Sequence, residues 1–259
     1  MDPHEGLNRI SLLGVPLDIL PEEEIETVVA RFEDGANHQI ILLSLWDLLR
    51  ARRQGEYRTM VMGASLVLPI SLSICRGARF LKKPVPVRYM PFDFAVKLLA
   101  ALEKRGRSAY LLGSTRIGVQ KAEANLKSTF PGLRIVGRHP GKFRRDREGA
   151  ILEAIRKATP SLLLVGNGVP GRERWIPRRL SSFGAGIYLW CSDLFEVFAE
   201  SRAKPSREIF SKGLEWCLYL PRRPWKALRA IPFLRFHILL LAARIRRGRD
   251  RPAESPSRG

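Results

Sequence analysis

Two glycine-bearing loops and one arginine-rich turn hold the residue types that could handle a phosphorylated ligand. "LLGSTRIG" (Leu111–Gly118) and "LVGNGVPG" (Leu164–Gly171) each run from an apolar stretch into glycine. Glycine after a strand lets backbone approach a ligand, and free N–H groups at the next helix start attract phosphate oxygens. That nominates Gly113, Ser114, Gly166 and Gly168, although the same pattern also serves as an ordinary strand-to-helix connection. Neither loop matches G-x-G-x-x-G or the Walker pattern, which disfavours a nicotinamide enzyme or a P-loop NTPase. "PGRERWI" places Arg172, Glu173, Arg174 and Trp175 at a helix start. There an arginine could pair with a phosphate while a base or sugar stacks on Trp175; the alternative is a partly buried Trp among solvated charges. "RYMPFD" puts Arg88 and Asp93 around a turn, with Asp93 either a helix cap or a carboxylate aimed at a sugar hydroxyl. "LVLPISLSI" (Leu66–Ile74) reads as a buried strand running into a turn, where many α/β enzymes keep an acid or base. Its tip carries Ile70 and Ser71 and no carboxylate. His139 reads as a solvated loop residue, and no Ser-His-Asp set can be assembled.

The elements that would position these residues alternate. "RISLLGVPLDIL" reads as a strand or hairpin. A helix follows in "PEEEIETVVARFEDG", with Pro21 suiting its first turn and Gly35 its stop. "HQIILLSL" reads as a buried strand, "DLLRARRQ" as helix, and "TMVMGASLVLPIS" as a further strand. "DFAVKLLAALEKRG" is an amphipathic helix that Asp93 could cap. "SAYLLGSTRIGVQKAEANLKSTFPG" gives a strand, a loop and a helix from about Gly118 to Phe130. Strands in "LRIVGRHPGKF", "SLLLVGNGVPG" and "GIYLWCSDLF" and a helix in "REGAILEAIRKATP" complete the series. Strands alternating with helices argue for an α/β fold, a mostly parallel sheet covered on both faces. Ligands in such sheets bind beyond the carboxyl ends of the strands, which selects the loops after Leu43, Leu68, Leu112, Val165 and Leu189.

Composition narrows the partners. The chain has 259 residues, 45% of them hydrophobic, and a formal charge of +20. That field favours phosphates in nucleic acid, nucleotides or anionic lipid. From Ser201 onward stand 15 Lys and Arg against 4 Asp and Glu, so +11 falls in the last 59 residues. The segment "GLEWCLYLPRRPWKALRAIPFLRFHILLLAARIRRG" sets Trp216, Trp225, Phe233 and Phe236 among arginines, which suits a helix lying on an anionic bilayer surface. A helical hairpin packed on the core with a solvated basic face is the alternative. Nucleic acid ranks third, because no recognition motif appears. The longest apolar candidate, "FHILLLAARI", is short of the roughly 18–20 residues that a membrane span needs. The N-terminus, interrupted by acids and a proline, reads as lacking a signal peptide. Cys75, Cys191 and Cys217 form no metal spacing with the histidines and read as reduced thiols.

Taken in order, five segments resemble the WecG/TagA/CpsF family (glycosyltransferase family 26), from about Arg9 to Leu241. They are "RISLLGVPLDIL", "ASLVLP", "YLLGSTRIGVQKAEANLKSTFPGLRIVGRHPGKF", "LLVGNGVPGRERWI" and "GLEWCLYLPRRPW". The resemblance implies a Rossmann-like fold and transfer of N-acetylmannosamine or its uronic acid from a UDP donor. The implied acceptor is an undecaprenyl-diphosphate-linked sugar at the cytoplasmic membrane face. The family's carboxyl-terminal appendage is associated with membrane targeting and with completing the active site. No metal or other cofactor is implied.

The departures bear on chemistry. The family's Pro-Asp-Gly, whose aspartate is the proposed general base, is Pro69, Ile70 and Ser71 here. Its Thr-x-Asn is Leu42, Leu43 and Ser44. Its Thr-Gly-x-Asp keeps the acid as Asp93 behind Met90 and Pro91. The glutamine of Pro-x-Gln-Glu is Arg172, with Pro170 and Glu173 kept, and Asp193 in "YLWCSDLF" matches the acid of Gly-Gly-x-Phe-Asp. Isoleucine cannot accept a proton, and a positioned base contributes roughly 10²–10⁴-fold. Three outcomes stay open: Asp93 as a displaced base, a slow or redirected enzyme, or a fold that has lost catalysis.

Residues and resemblance together assign a donor site to Arg88, Gly113, Ser114, Gly166, Gly168, Pro170, Arg172, Glu173, Trp175 and Asp193, with Asp93 the best remaining candidate base. Arg222, Arg223, Arg229 and Arg235 are assigned to lipid phosphates or the acceptor diphosphate. The expected organisation is a Rossmann-like glycosyltransferase domain over 1–200, a basic membrane-associating appendage over 201–247 and a disordered tail over 248–259. The expected partners are a UDP-sugar, a polyprenyl-diphosphate-linked acceptor and an anionic membrane surface, with a homo-oligomer left open and no nucleic acid. The expected location is cytoplasmic, peripheral at the inner face of the cell membrane. The rival reading is a catalytically degenerate homologue serving as a binding or scaffold subunit of the same pathway.

Overall fold

The computed structural model describes residues 7–204, 206–212 and 230–249. The chain opens with an antiparallel hairpin, β1 (Asn8–Leu12) and β2 (Val15–Ile19). Its two turn residues, Leu13 and Gly14, both take positive φ (53° and 81°), the geometry of a two-residue hairpin turn. The fully buried Asp18 pins the hairpin to the main sheet. It accepts from Arg9 Nε at 2.6 Å, from Arg9 Nη2 at 2.8 Å and from the Val67 amide at 2.6 Å.

The main sheet has six strands: β3 (Asn37–Leu43), β4 (Leu66–Pro69), β5 (Ser108–Leu112), β6 (Arg134–His139), β7 (Leu162–Gly166) and β8 (Gly186–Ser192). Their spatial order is β4-β3-β8-β7-β5-β6, every pair parallel. Alternate residues of each strand serve opposite faces. Ile40, Leu66, Leu68, Ala109, Leu111, Leu162, Leu164, Ile187 and Leu189 meet helices α1 (Ile25–Arg31), α5 (Pro91–Lys104), α6 (Arg116–Thr129) and α9 (Leu194–Phe198). On the other face two clusters form. Ile41, Leu43 and Val67 meet the hairpin, α2 (Leu45–Ala51), α3 (Glu56–Met62), α4 (Leu72–Phe80) and α11 (Ala230–Arg249). Tyr110, Leu112, Leu163, Val165 and Tyr188 meet α7 (Glu148–Ala158) and α8 (Trp175–Arg179). The remaining helix, α10 (Arg207–Lys212), stands between α9 and α11 in sequence.

The α/β reading with a parallel sheet covered on both faces therefore stands. Several local expectations need correction. Thr59–Met62, expected as strand, belong to α3: Tyr57, Met60 and Val61 are buried at helical spacing, and the strand begins only after the break at Gly63. Asp93 is not the cap of α5. The helix starts at Pro91 with Met90 at the cap position, because proline fits a first turn that has no use for its N–H. Helix α6 starts two residues earlier than expected, since Thr115 Oγ1 accepts from the Gly118 amide at 3.0 Å and sets the cap there. Helix α11 continues to Arg249, past the expected start of a disordered tail at 248; residues 250–259 lie outside the described residues.

Candidate active site

The strands β3 and β8 are the first and last of the main sheet in sequence, yet they are neighbours in it. One half-sheet grows outward from β3 to β4, the other comprises β5 to β8, and a crevice opens where they meet, at the carboxyl ends. A cleft of about 430 Å³ occupies that place. Its walls include Leu42 of β3, Asp47 and Arg50 of α2, Tyr57 and Met60 of α3, Ile70 after β4, Pro91, Arg172, Glu173, and Trp190–Asp193 at the end of β8.

Local bonds bring the α2 start beside residue 70. The Ile70 amide donates to the Leu43 carbonyl at 3.0 Å, and the Leu45 amide donates to Ser71 Oγ at 3.0 Å. Ser44 and Asp47 form a reciprocal cap: Ser44 Oγ donates to Asp47 Oδ2 at 2.5 Å, the Ser44 amide reaches the same oxygen at 3.3 Å, and the Asp47 amide returns to Ser44 Oγ. For Tyr57, burial first, then the nearby Asp47 carboxylate, push the hydroxyl well above the ordinary tyrosine range. Arg50 lies over the Tyr57 ring at 4.0 Å and donates to Glu173 Oε1 at 2.7 Å. Asp193 pairs with Arg202 at 2.5 Å. Among the described residues the Arg172 side chain meets only Glu173, at 3.8 Å, and it is 74% exposed. Arg172 and Ser192, both lining the cleft, have left-handed backbone (φ 55° and 47°), a strain of about 1–3 kcal/mol each that the surrounding loops must hold.

Of the residues expected at a donor site, the fold gathers Arg172, Glu173 and Asp193 around this cleft, with Ile70 opposite. Gly113, Ser114, Gly166 and Gly168 form an adjoining junction, and the amides of Gly113 and Ser114 are turned to other loops. The Gly113 amide donates to the His139 carbonyl, the Ser114 amide to the Asn167 carbonyl and the Asn167 amide to the Ser192 carbonyl. The glycines are needed for close approach: a Cβ on Gly113 (φ 156°) would lie 2.8 Å from Gly166 Cα, and one on Gly141 would lie 2.3 Å from the Asn167 oxygen. Trp175 is not a stacking platform. It is 2% exposed, packs on Phe183 and donates Nε1 to Glu148 at 2.7 Å. Pro170 sits on an exposed turn after β7.

Asp93 stands outside the cleft, paired with Lys204 and, at 3.3 Å, with Arg207. Arg88 bridges two segments: Nε donates to the Ile70 carbonyl at 3.0 Å, Nη1 donates to the Phe210 carbonyl, and the guanidinium covers the Phe210 ring at 3.6 Å. Arg235 is exposed on α11. Arg222, Arg223 and Arg229 lie outside the described residues, as do Trp216, Cys217 and Trp225. Cys75 and Cys191 are free and buried, and burial pushes both thiols up. No metal-holding cluster occurs among the described residues.

A second groove, of about 590 Å³, lies between the hairpin turn and α11, lined by Arg52, Lys83 and Arg246 among leucines and alanines. The sequence reading missed Asp47, Arg50 and Tyr57. The spacing of Ser44 and Asp47 is a capping signature and was a usable signal for the first; the other two come together only through tertiary packing.

The comparisons agree with this architecture. A profile described as "Glycosyl transferase WecG/TagA/CpsF family" matches residues 10–250. A Bacillus subtilis (strain 168) protein named N-acetylglucosaminyldiphosphoundecaprenol N-acetyl-beta-D-mannosaminyltransferase is 20% identical over 225 residues, 87% of this chain and 84% of its own length. A protein of the same name from Staphylococcus aureus (strain MW2) is 23% identical over 250 residues, 93% of this chain and 96% of its own length. With nearly the whole chain matched and the expected parallel sheet in place, the chain belongs to the WecG/TagA/CpsF family of glycosyl transferases.

Proposed function

We propose that the protein transfers an N-acetylmannosamine-like sugar from a UDP donor to a polyprenyl-diphosphate-linked sugar in cell-envelope polysaccharide synthesis. The observation that carries the reading is the cleft at the β3–β8 crevice, walled by Ile70, Arg172, Glu173 and Asp193. These are the positions that match the motifs of a family whose relatives bear mannosaminyltransferase names. Arg172, exposed and weakly held, has the reach to meet a diphosphate. Open amides remain at the α6 start beyond Ser114, while the glycine junction behind them fixes the loops.

The acceptor is lipid-linked in the relatives' names, and one exposed face fits work at a membrane surface. Ile231, Leu234, Ile238, Leu241 and Ile245 are exposed along one stripe of α11, with Arg235 beside them. No helix among the described residues is long and apolar enough to cross a membrane. The segment carrying Lys204, Arg207 and Phe210 is strapped to Asp93 and Arg88, which supports an appendage that begins beside the rim near Ile70.

One observation favours a second reading. With Ile70 at the family's base position, a homologue that binds the donor without turnover, as a scaffold in the same pathway, would look the same. Transfer assays with UDP-N-acetylmannosamine and a lipid-diphosphate N-acetylglucosamine acceptor in anionic vesicles separate the two. Product formation supports the enzyme. Calorimetric donor binding without product supports the scaffold, and absence of both refutes donor recognition altogether.

A further inference from the structure

Three carboxylates line the cleft, and their partners differ. Glu173 is taken by Arg50 at 2.7 Å and Asp193 by Arg202 at 2.5 Å. A carboxylate held by a guanidinium has its acceptor oxygens already engaged by strong donors. Asp47 has no ion pair among the described residues; its donors are the neutral Ser44 hydroxyl and amide, with the Tyr57 side chain lining the same cleft. It is also the cleft carboxylate whose loop is stitched to residue 70, through the Ile70 amide on Leu43 and the Leu45 amide on Ser71. An isoleucine at 70 and an aspartate at the start of the neighbouring helix thus border one space.

We propose that Asp47 is the proton acceptor of the transfer reaction, standing in from the end of β3 for the carboxylate that the end of β4 lacks. This rests on the glycosyltransferase reading above. In the step assigned to it, the acceptor sugar's hydroxyl oxygen bonds to the donor's anomeric carbon as its proton passes to Asp47. The bond from that carbon to the diphosphate oxygen breaks, and its electron pair leaves with UDP. Ser44 orients the carboxylate from behind. Ile70 supplies an apolar wall that keeps water from competing for the anomeric carbon. Asp93, held by Lys204 and Arg207, acts as a strut for the appendage.

The test uses the full chain with anionic vesicles, a UDP-N-acetylmannosamine donor and a lipid-diphosphate acceptor. Three proteins are compared: wild type, Asp47→Asn, and Asp47→Asn combined with Ile70→Asp. Asparagine keeps the side-chain size and a cap oxygen but cannot take the proton. The expected result is a kcat lower by roughly 10²–10⁴-fold in Asp47→Asn, with calorimetric donor affinity within about threefold of wild type. The double variant should recover turnover, which a repaired helix cap would not explain. Asp47→Asn turning over within about threefold of wild type overturns the assignment and leaves the glycosyltransferase reading intact. Wild type that binds the donor and yields no product also overturns it. Wild type that neither binds nor transfers removes the glycosyltransferase reading and the assignment together.

Discussion

The α11 helix gives the sharpest test of how the appendage is held. Phe236 is fully buried and Leu240 nearly so, against a cluster that includes Leu48, Leu49, Ile74 and Ala78. Phe236 seats over Gly77 of α4, where a Cβ would lie 2.7 Å from the ring. Arg244 adds a hydrogen bond to the Phe80 carbonyl at 3.1 Å. Burying two large apolar side chains contributes roughly 1.5–3 kcal/mol each, so docking rests on about 3–6 kcal/mol before ordering costs. Phe236→Ala removes about half of that. A core Phe→Ala change costs about 3–5 kcal/mol when the site cannot relax; here the helix can lift away, so the loss is capped at roughly 2–3 kcal/mol. That is about a 30- to 150-fold shift toward the undocked helix. Hydrogen exchange followed by mass spectrometry reads it directly. Amides over residues 231–246 should exchange faster by that factor, while those of β5 and β7 keep their protection. Unchanged protection in α11 would show that something other than this contact holds it. Simultaneous loss in β5 and β7 would show that α11 is part of one cooperative core.

Two further outcomes follow from ion pairs outside the cleft. Glu33 is forked by Arg105 and Arg107, whose hydrogen bonds hold its carboxyl down from 4.5 to about 2. A depressed carboxyl stabilises the fold fully above its unfolded value and stops doing so as pH falls through its folded one. Full conversion is about 3 kcal/mol, and the exposure of the arginines reduces this to roughly 1–2 kcal/mol. Urea unfolding between about pH 5 and pH 2 should therefore show a steeper acid loss for wild type than for Glu33→Gln; coincident curves would refute the linkage. Asp18→Ala strips the Asp18 carboxylate from a half-buried Arg9 and the acceptor from the Val67 amide. The cost of breaking such a pair is about 3–5 kcal/mol, so Tm should drop by about 6–20 °C. A Tm within about 2 °C of wild type would mean that the hairpin is held by apolar contacts alone.

The sequence by itself determined the family, the alternation of strands and helices, and the edge of the sheet at which a ligand would sit. Those are properties of periodicity, glycine placement and segment order, which read out along the chain. It also showed that residue 70 is apolar. Tertiary structure decided what each candidate does. The glycine loops looked alike as phosphate cradles, but the amides of Gly113, Ser114 and Asn167 close on the carbonyls of neighbouring loops, a pairing between strands far apart in sequence. Trp175 looked available for stacking until the Phe183 and Glu148 contacts enclosed it. Asp93 looked like the surviving acid of a family motif, but Lys204 and Arg207 from a later segment pair with it. Asp47 drew no notice, because a helix-start aspartate is common; only the bonds joining the ends of β3 and β4 set it next to Ile70. Residue type fixes which reactions a side chain can enter, whereas its partners, chosen in three dimensions, fix whether its charge and lone pairs are left for a substrate.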